Sequence, residues 1–280
     1  MASIALLGTG LLGSGMVRHF LTTGAPVTVW NRTASKATAL EADGARAAAT
    51  PARAVAGADH IHLVLPDDDV VDGILEQIGP ALSRGAIVID HSTTLPEGTR
   101  ARFARMAARG VRFLHAPVFM SPQMATEGTG LMLVSGPAAE FDEVRGELEG
   151  MTGEVWNLGE RPDLAAAYKL FGNCMLFAIS GGLADVMSMA RANAIDPLEA
   201  LSVFAKFQAG NIINVRGPRM ARGDVTPPSF EVAMARKDVR LMMAAAKSEP
   251  LVTLPAIAQR MDDVIANGGG NLDLAAIGTR

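Results

Sequence analysis

The stretch that decides the fold lies near the N-terminus, where residues 3–13 read Ser3-Ile4-Ala5-Leu6-Leu7-Gly8-Thr9-Gly10-Leu11-Leu12-Gly13. A short aliphatic strand candidate leads directly into three glycines with the spacing Gly-x-Gly-x-x-Gly, and helical spacing follows to about Thr23. In such a unit the first glycine permits a tight turn, the second lets a pyrophosphate approach the backbone, and the third lets helix and strand pack closely. The context favours a dinucleotide-binding turn over a purely structural one, with the binding residues Gly8, Thr9, Gly10, Leu11, Leu12 and Gly13.

Outward from this unit, the first half of the chain alternates short aliphatic runs with amphipathic segments. This pattern is typical of parallel strands joined by helical crossovers. Helix ends are also marked, for example by Thr50 before Pro51 and by Gly110 after the segment 96–109. The further strand candidates are Val27–Asn31, His60–Leu65, Ala86–Asp90, Val111–Ala116 and Leu131–Ser135.

After about Trp156 the strand signals stop and almost everything that follows has helical spacing. The segment from Asp163 to about Asn193 is long enough for a helix of roughly 45 Å, at about 1.5 Å per residue, that connects two domains. The sequence therefore predicts an α/β fold with a Rossmann-type N-terminal domain and mostly parallel sheet over 1–161, and an all-α C-terminal domain over 162–280, joined by a long interdomain helix. We interpret its most apolar part, Leu170 to Ala184, as a buried helix, because it is shorter than the roughly 20 residues that a membrane crossing needs.

Charge and composition exclude some function classes. The 280 residues carry a net charge of −4, so no basic excess is present to neutralise a phosphate backbone, and we expect no nucleic-acid partner. The single cysteine, Cys174, excludes an internal disulfide and fits a reducing compartment. No positively charged leader precedes the first apolar run. We expect a cytoplasmic protein with no membrane partner.

Cofactor choice is read at the end of the second strand, where enzymes that use NAD place an acidic residue for the ribose hydroxyls. Here the chain reads Trp30-Asn31-Arg32-Thr33, with Lys36 one turn further on. A 2′-phosphate would meet a guanidinium and a hydroxyl, and charge-assisted contacts stabilise such a group. NADP(H) is therefore favoured over NAD(H), with Asn31, Arg32 and Thr33 at the cofactor; a solvated arginine and lysine at a strand end are the alternative.

Two polar residues stand out on the long helix. Lys169 and Asn173 are four residues apart and lie on one helical face, and the lysine is flanked by Tyr168, Leu170 and Phe171. Desolvation in such surroundings lowers the pKa of a lysine toward the range useful for proton transfer. The alternative is a lysine that keeps its ammonium in water beside a structural amide.

With these residues in this order, the chain resembles the β-hydroxyacid dehydrogenase family, whose members include 3-hydroxyisobutyrate dehydrogenase and glyoxylate or succinic semialdehyde reductase. The likeness covers nearly the whole chain. Further matching positions are Ser92-Thr93, Ala116-Pro117-Val118, Gly128-Thr129 and Lys237-Asp238.

The resemblance implies roles for several residues. Lys169 matches the family's catalytic lysine and Asn173 the amide that holds the substrate oxygen, while Lys237 matches a residue that lines the cofactor and substrate cleft. Leu65, Pro66 and Thr93 fall where family members contact the cofactor. A homodimer or homotetramer built through the helical domain is also implied.

The chain departs from the family pattern at three places. Where the family has Ser-Gly-Gly to bind a substrate carboxylate, this chain has Phe119-Met120-Ser121. These three are candidate substrate-binding residues. Ser121 can still donate a hydrogen bond, whereas Phe119 and Met120 suggest a larger or more apolar substrate, although loop packing would explain these two equally. Two family glycines are Asp163 and Ala165 here, and His115 replaces an acidic residue.

The resulting hypothesis is an NADPH-dependent oxidoreductase. A hydride passes between the nicotinamide and a small aldehyde, keto acid or hydroxy acid, with Lys169 as general acid or base. The alternatives are an imine reductase-like enzyme and a non-catalytic nucleotide-binding protein. His60 and His62 alternate on one face of a strand, but no third ligand is evident nearby, so we assign them to packing and predict no metal site.

Overall fold

A computed structural model describes residues 2–279 and contains a six-stranded parallel sheet with the strand order β3-β2-β1-β4-β5-β6. β1, β4 and β5 are buried at all four of their positions, because helices cover both faces of a parallel sheet. The strands are β1 (Ile4–Leu7), β2 (Val27–Trp30), β3 (Arg46–Ala47), β4 (His60–Leu63), β5 (Ile87–Asp90) and β6 (Arg112–His115).

The helices between the strands begin where the sequence marks them. Thr50 Oγ1 accepts a hydrogen bond from Arg53 N at 3.2 Å, and an Asp67 oxygen accepts one from Val70 N at 2.9 Å, so both side chains satisfy a free N–H at a helix start. These helices are α1 (Leu11–Thr22), α2 (Ala34–Thr38), α3 (Pro51–Val55), α4 (Asp68–Ile78) and α5 (Pro96–Ala108).

A second, three-stranded sheet follows, made of β7 (Val118–Phe119), β8 (Leu131–Val134) and β9 (Glu154–Asn157). β7 pairs with β8 antiparallel, and β8 pairs with β9 parallel. The predicted strand 131–135 forms, but in this sheet and not in the main one. The intervening helices are α6 (Pro122–Glu127) and α7 (Ala138–Thr152).

A chain of buried hydrogen bonds crosses the first unit from α7 to the end of β6. Glu147 lies 2.8 Å from His60 Nδ1 and 3.0 Å from His62 Nε2; His62 Nδ1 lies 2.9 Å from His91 Nε2, and His91 Nδ1 lies 2.7 Å from the Ala116 oxygen. His60 and His62 are therefore held by a carboxylate from another element.

The positions of the protons in this series of hydrogen bonds follow from the groups at its two ends. A carbonyl only accepts, so His91 Nδ1 carries a proton; burial and the neighbouring His62 lower the pKa of His91 to about 3, which keeps it neutral with Nε2 as an acceptor. His62 Nδ1 must then donate to His91, while His62 Nε2 lies 3.0 Å from Glu147 Oε1. His62 thus links the Glu147 carboxylate to His91.

The remainder of the chain is helical: α8 (Leu164–Ala192), α9 (Pro197–Leu201), α10 (Val203–Lys206), α11 (Ile212–Arg222), α12 (Val232–Ala245) and α13 (Leu254–Ala266). The predicted fold class, a Rossmann-type sheet followed by a helical C-terminal region, is confirmed. Two compact units, Met1–Asn173 and Cys174–Arg280, divide within α8. The predicted boundary between residues 161 and 162 stays a prediction.

Helix α8 differs from its prediction. It spans 29 residues, and only 6% of its most apolar 18-residue window is buried, so the expectation of a buried helix over 170–184 is wrong for the single chain. By length and composition alone, α8 is the one helix within 2–279 that could cross a membrane. Within the second unit, however, the Asp185 carboxylate accepts hydrogen bonds from Thr253 N at 3.0 Å and Leu254 N at 2.9 Å, and so ties the start of α13 to α8.

Candidate functional site

The glycine turn between β1 and α1 shows why each glycine is needed. A Cβ on Gly8, whose φ is +105°, would lie 2.1 Å from Val64 O, and a Cβ on Gly13 would lie 2.0 Å from Gly8 O. A Cβ on Gly10 would meet nothing within 4 Å. Gly8 and Gly13 are therefore required by packing, whereas Gly10 leaves space for a ligand.

That space is a cavity of about 710 Å³, within the usual size of a small-molecule or cofactor site. It lies among the glycine turn and the segments that follow β2 and β4. Its predicted lining residues are Gly8, Gly10, Leu11, Leu12, Gly13, Asn31, Arg32, Thr33, Leu65 and Pro66. Thr93 is exposed and is not among the residues that line it.

The sequence reasoning missed the contribution of α4. Val70, Gly73, Ile74 and Gln77 of this helix also line the cavity. A glycine inside an amphipathic helix was the one available signal, since Gly73 costs helix stability unless a close approach needs it.

Asn31 organises the turn. Its Oδ1 accepts a hydrogen bond from Thr9 N at 3.1 Å, and its Nδ2 donates to Thr33 O at 3.1 Å. The amide thus connects the end of β2 to the glycine turn. Thr9 is buried, and its Oγ1 has no hydrogen-bond partner within 2–279.

The charge of the cavity is positive at the end of β2. Arg32 and Lys36 are exposed lining residues, and neither makes an ion pair with a carboxylate of residues 2–279. No aspartate or glutamate occurs among the described residues that line the cavity. Two uncompensated cations suit an anionic ligand. The glycine turn, the free N–H groups at the start of α1 and this charge together fit a nicotinamide dinucleotide.

Lys169 lies in the second turn of α8, half-buried against β7. Its Nζ donates a hydrogen bond to Val118 O at 2.8 Å and lies 4.1 Å from the centroid of the Phe119 ring. Burial lowers the pKa of Lys169 below its usual value. The structure thus places a lysine with a lowered pKa beside the predicted substrate loop.

Asn173 lies one helical turn beyond Lys169 and is half-buried. Within residues 2–279 its side chain makes no hydrogen bond to another protein group, which leaves the amide free for a ligand. The two predicted catalytic residues therefore share one face of α8, as their spacing indicated.

The three predicted substrate-loop residues have different surroundings. Phe119 faces Lys169, whereas Met120 packs against the hydrophobic core of the first unit. Ser121 begins α6, and its Oγ accepts a hydrogen bond from Met124 N at 3.2 Å. Loop packing thus accounts for Met120 and a helix cap for Ser121.

Lys237 belongs to the second unit. It lies on α12, is exposed, and its Nζ is 2.9 Å from Asp238 Oδ1. Its role at the cofactor stays a prediction.

Behind the site, His91 anchors the loop that carries Val118. Its hydrogen bond to Ala116 O holds the segment Ala116-Pro117-Val118, whose last carbonyl accepts a hydrogen bond from Lys169 Nζ. Ser92 Oγ accepts a hydrogen bond from Leu65 N at 3.0 Å and joins the ends of β4 and β5. Sequence reasoning did not assign His91, because its partner lies 25 residues away.

Comparisons with known proteins find similar domains and similar whole chains. Residues 3–159 match the NAD binding domain of 6-phosphogluconate dehydrogenase, and residues 164–279 match the NAD-binding domain of NADP-dependent 3-hydroxyisobutyrate dehydrogenase. The chain is 30% identical to the uncharacterized oxidoreductase YfjR of Bacillus subtilis, covering 98% of each chain. It is 30% identical to 3-sulfolactaldehyde reductase of Escherichia coli, covering 99% of this chain and 95% of that protein. Among solved structures, an imine reductase of Streptomyces aurantiacus superposes with a TM-score of 0.89 at 26% identity, over 99% and 98% of the two chains.

Proposed function

The chain belongs to the NAD(P)-dependent 3-hydroxyisobutyrate dehydrogenase family, and on that premise we propose that it is an NADPH-dependent reductase of small carbonyl compounds with Lys169 as proton donor. Dehydrogenases and reductases that act on hydroxyl groups or on the corresponding carbonyls make up this family. The substrate is a small aldehyde or keto acid, or the hydroxy acid in the reverse direction.

The observation that carries the proposal is the position of the Lys169 ammonium. It is half-buried, it rests on a carbonyl oxygen and an aromatic ring, and burial lowers its pKa. Because burial disfavours the charged form, this lysine releases a proton more readily than one in water. A lysine that keeps its ammonium in solvent, the alternative, would have neither contact.

The cofactor, Lys169 and Asn173 have separate roles in the proposed reaction. When bound, NADPH supplies the hydride. Lys169 Nζ donates a proton to the oxygen of the carbonyl as negative charge develops on it, and Asn173 holds that oxygen through its amide N–H. In the reverse direction the neutral amine of Lys169 accepts the hydroxyl proton.

The preference for NADPH over NADH rests on the end of β2. Arg32 and Lys36 offer two unpaired cations there, and no carboxylate of the described lining residues opposes a 2′-phosphate. A bidentate guanidinium–phosphate contact is among the stronger charge-assisted interactions in proteins. The cofactor's phosphate therefore distinguishes the two nucleotides at this position.

The experiment compares Lys169→Ala and Lys169→Arg with the wild-type enzyme. NADPH oxidation is followed over glyoxylate, succinic semialdehyde, 3-oxo acids and bulkier aldehydes, and NADPH affinity is measured separately by fluorescence titration. Loss of a positioned general acid lowers kcat by about 10²- to 10⁴-fold. Arginine keeps the charge but does not release its proton at accessible pH, so it should not restore activity. Turnover close to wild type in both variants would refute the role of Lys169.

Imine reduction is the second candidate, favoured by the superposition on the imine reductase of Streptomyces aurantiacus. The ammonium of Lys169 disfavours it, because a protonated imine would meet a like charge. Cyclic imines in the same assay decide between the two. NADPH binding without oxidation of any compound would instead indicate a non-catalytic nucleotide-binding protein.

Assembly as a homodimer or homotetramer through the helical domain is part of the proposal. Large apolar side chains of α8 are exposed in the single chain, and a contiguous apolar surface of this kind is typical of a protein interface. They are Phe171, Met175, Leu176, Phe177, Ile179 and Leu183. A second copy covers them, which also explains a hydropathic helix in a cytoplasmic enzyme. Light scattering should give a mass of at least two chains, and a monomer would contradict the assembly.

A further inference from the structure

The ring of Phe119 stands beside the proposed proton donor. Phe119 lies at the end of β7, opposite Leu131 of β8, and its ring centroid is 4.1 Å from Lys169 Nζ. The carbonyl of the preceding residue, Val118, accepts one N–H of the same ammonium. A carbonyl and an aromatic ring thus occupy two sides of the Lys169 ammonium, and a substrate must approach this group from a side that neither of them covers.

The ring fits at this position because Gly172 and Gly130, which lie against it and its backbone, have no side chains. A Cβ on Gly172 of α8 would lie 2.3 Å from Phe119 Cζ, so the ring fits only because residue 172 is glycine. A Cβ on Gly130, whose φ is +119°, would lie 2.9 Å from Phe119 O and 3.0 Å from Met120 Cβ. The loop is therefore packed closely on both sides of Phe119.

The Phe119 side chain offers no group suited to an anion. A phenyl ring has no hydrogen-bond donor, and its negative face is directed at the ammonium. Met120 packs into the core, and Ser121 Oγ serves as the cap of α6. A substrate carboxylate brought against the Phe119 ring would lose water without gaining a hydrogen bond from it, which is unfavourable.

Arg100 and Arg161 are already paired with a carboxylate. Arg100 and Arg161 both bind the Asp163 carboxylate just before α8, at 2.5 Å and 2.9 Å. Hydrogen bonds from Arg161 in particular hold the pKa of Asp163 well below its usual range, so this carboxylate stays ionised and neutralises part of their charge. Both guanidinium groups are thus engaged with a protein carboxylate.

We propose that Phe119 is a specificity-determining residue that makes this enzyme prefer uncharged aldehydes and ketones over substrates that carry a carboxylate. This inference rests on the proposed reductase function and names its substrate class. The ring presents an apolar wall beside Lys169, against which an alkyl or aryl substituent of the carbonyl compound packs.

The experiment measures kcat/KM on matched pairs that differ in charge alone: succinic semialdehyde against its methyl ester, and glyoxylate against methyl glyoxylate. The wild-type enzyme should favour the ester in each pair. Phe119→Ser introduces a hydroxyl and removes the wall, and should shift the ratio toward the acid by about tenfold or more. Phe119→Leu, the matched control, stays apolar and should keep the preference for the ester.

Gly172→Ala tests the same geometry without altering Phe119. The added methyl displaces the ring, so the preference for the ester should fall toward unity, and Gly172→Ala should have no further effect in the Phe119→Ser background. A wild-type preference for the acids, or ratios within twofold of wild type in both Phe119→Ser and Gly172→Ala, would overturn the inference. Failure of the proposed function looks different: no compound is turned over, and Lys169→Ala changes nothing.

Discussion

The buried pair of Glu147 and His62 offers a test of the core that supports the site. Glu147→Gln keeps the size of the side chain but removes its charge. A carboxylate accepts from both His60 and His62, whereas an amide has one oxygen and presents N–H groups to the other histidine. The variant therefore loses the negative charge beside the two histidines, and its single oxygen can accept from only one of them.

The expected loss of stability follows from the lowered pKa of the Glu147 carboxylate. Burial raises the pKa of Glu147, but hydrogen bonds from His60 and His62 outweigh it and lower the value from 4.5 to about 2. Each pKa unit corresponds to about 1.4 kcal/mol, so the folded environment favours the ionised form by about 3 kcal/mol. For a protein of this size, 1 kcal/mol shifts the melting temperature by about 2–4 °C, and Glu147→Gln should lower it by about 6–12 °C.

The dependence on pH gives a second readout. Because the pKa of Glu147 is lower in the folded than in the unfolded state, its stabilisation is complete above pH 4.5 and is lost as the pH falls toward about 2. Burial lowers the pKa of His60, but the hydrogen bond and charge of Glu147 more than offset this and raise it above 6.5, with smaller contributions from Asp59 and Glu143. The His60 contribution is therefore complete below pH 6.5 and declines as the pH rises through its folded value.

Thermal melts between pH 3 and 8 measure both effects. Glu149→Gln is the matched control, because it makes the same change at an exposed position of the same helix, α7. It should melt like the wild type. If Glu147→Gln also melts within 2 °C of the wild type, or keeps the wild-type loss of stability below pH 4.5, the reasoning about the Glu147 carboxylate is wrong.

Three further predictions concern the cofactor and the proton. Arg32→Asp should lower the kcat/KM preference for NADPH over NADH by about 10- to 100-fold, because one charge-assisted contact of about 1.5–3 kcal/mol is lost and a repulsive charge is added; an unchanged preference would contradict the site. Gly10→Ala should melt like the wild type yet bind NADPH weakly, because its methyl enters the space left for the ligand. Gly13→Ala should destabilise the fold, because its methyl clashes with the backbone at Gly8. Equal effects of the two variants on melting would argue against the assigned roles. In a pH profile of reduction, kcat/KM should fall as the pH rises through the lowered pKa of Lys169, at a pH below 10.5, and oxidation of the alcohol should rise there; a limb unchanged in Lys169→Arg would assign it to another group.

Local sequence determined the first βαβ unit almost completely. The strand 3–7, the spacing of Gly8, Gly10 and Gly13, and the cations at the end of β2 lie within about 30 residues, and neighbouring residues constrain one another through backbone geometry. Helical spacing likewise placed Lys169 and Asn173 on one face of α8.

Distant pairs were decided by the tertiary structure. Lys169 meets Val118 across 51 positions, and Glu147 meets His62 across 85, so no local pattern could connect them. The strand 131–134 was recognisable, but its place in the second sheet depends on its pairing with β7 and β9. The exposure of α8 could not be read either, because an apolar run looks the same whether its own chain or another copy covers it. Sequence specifies which residues can form an element and which face is apolar; the path of the chain decides which of them touch.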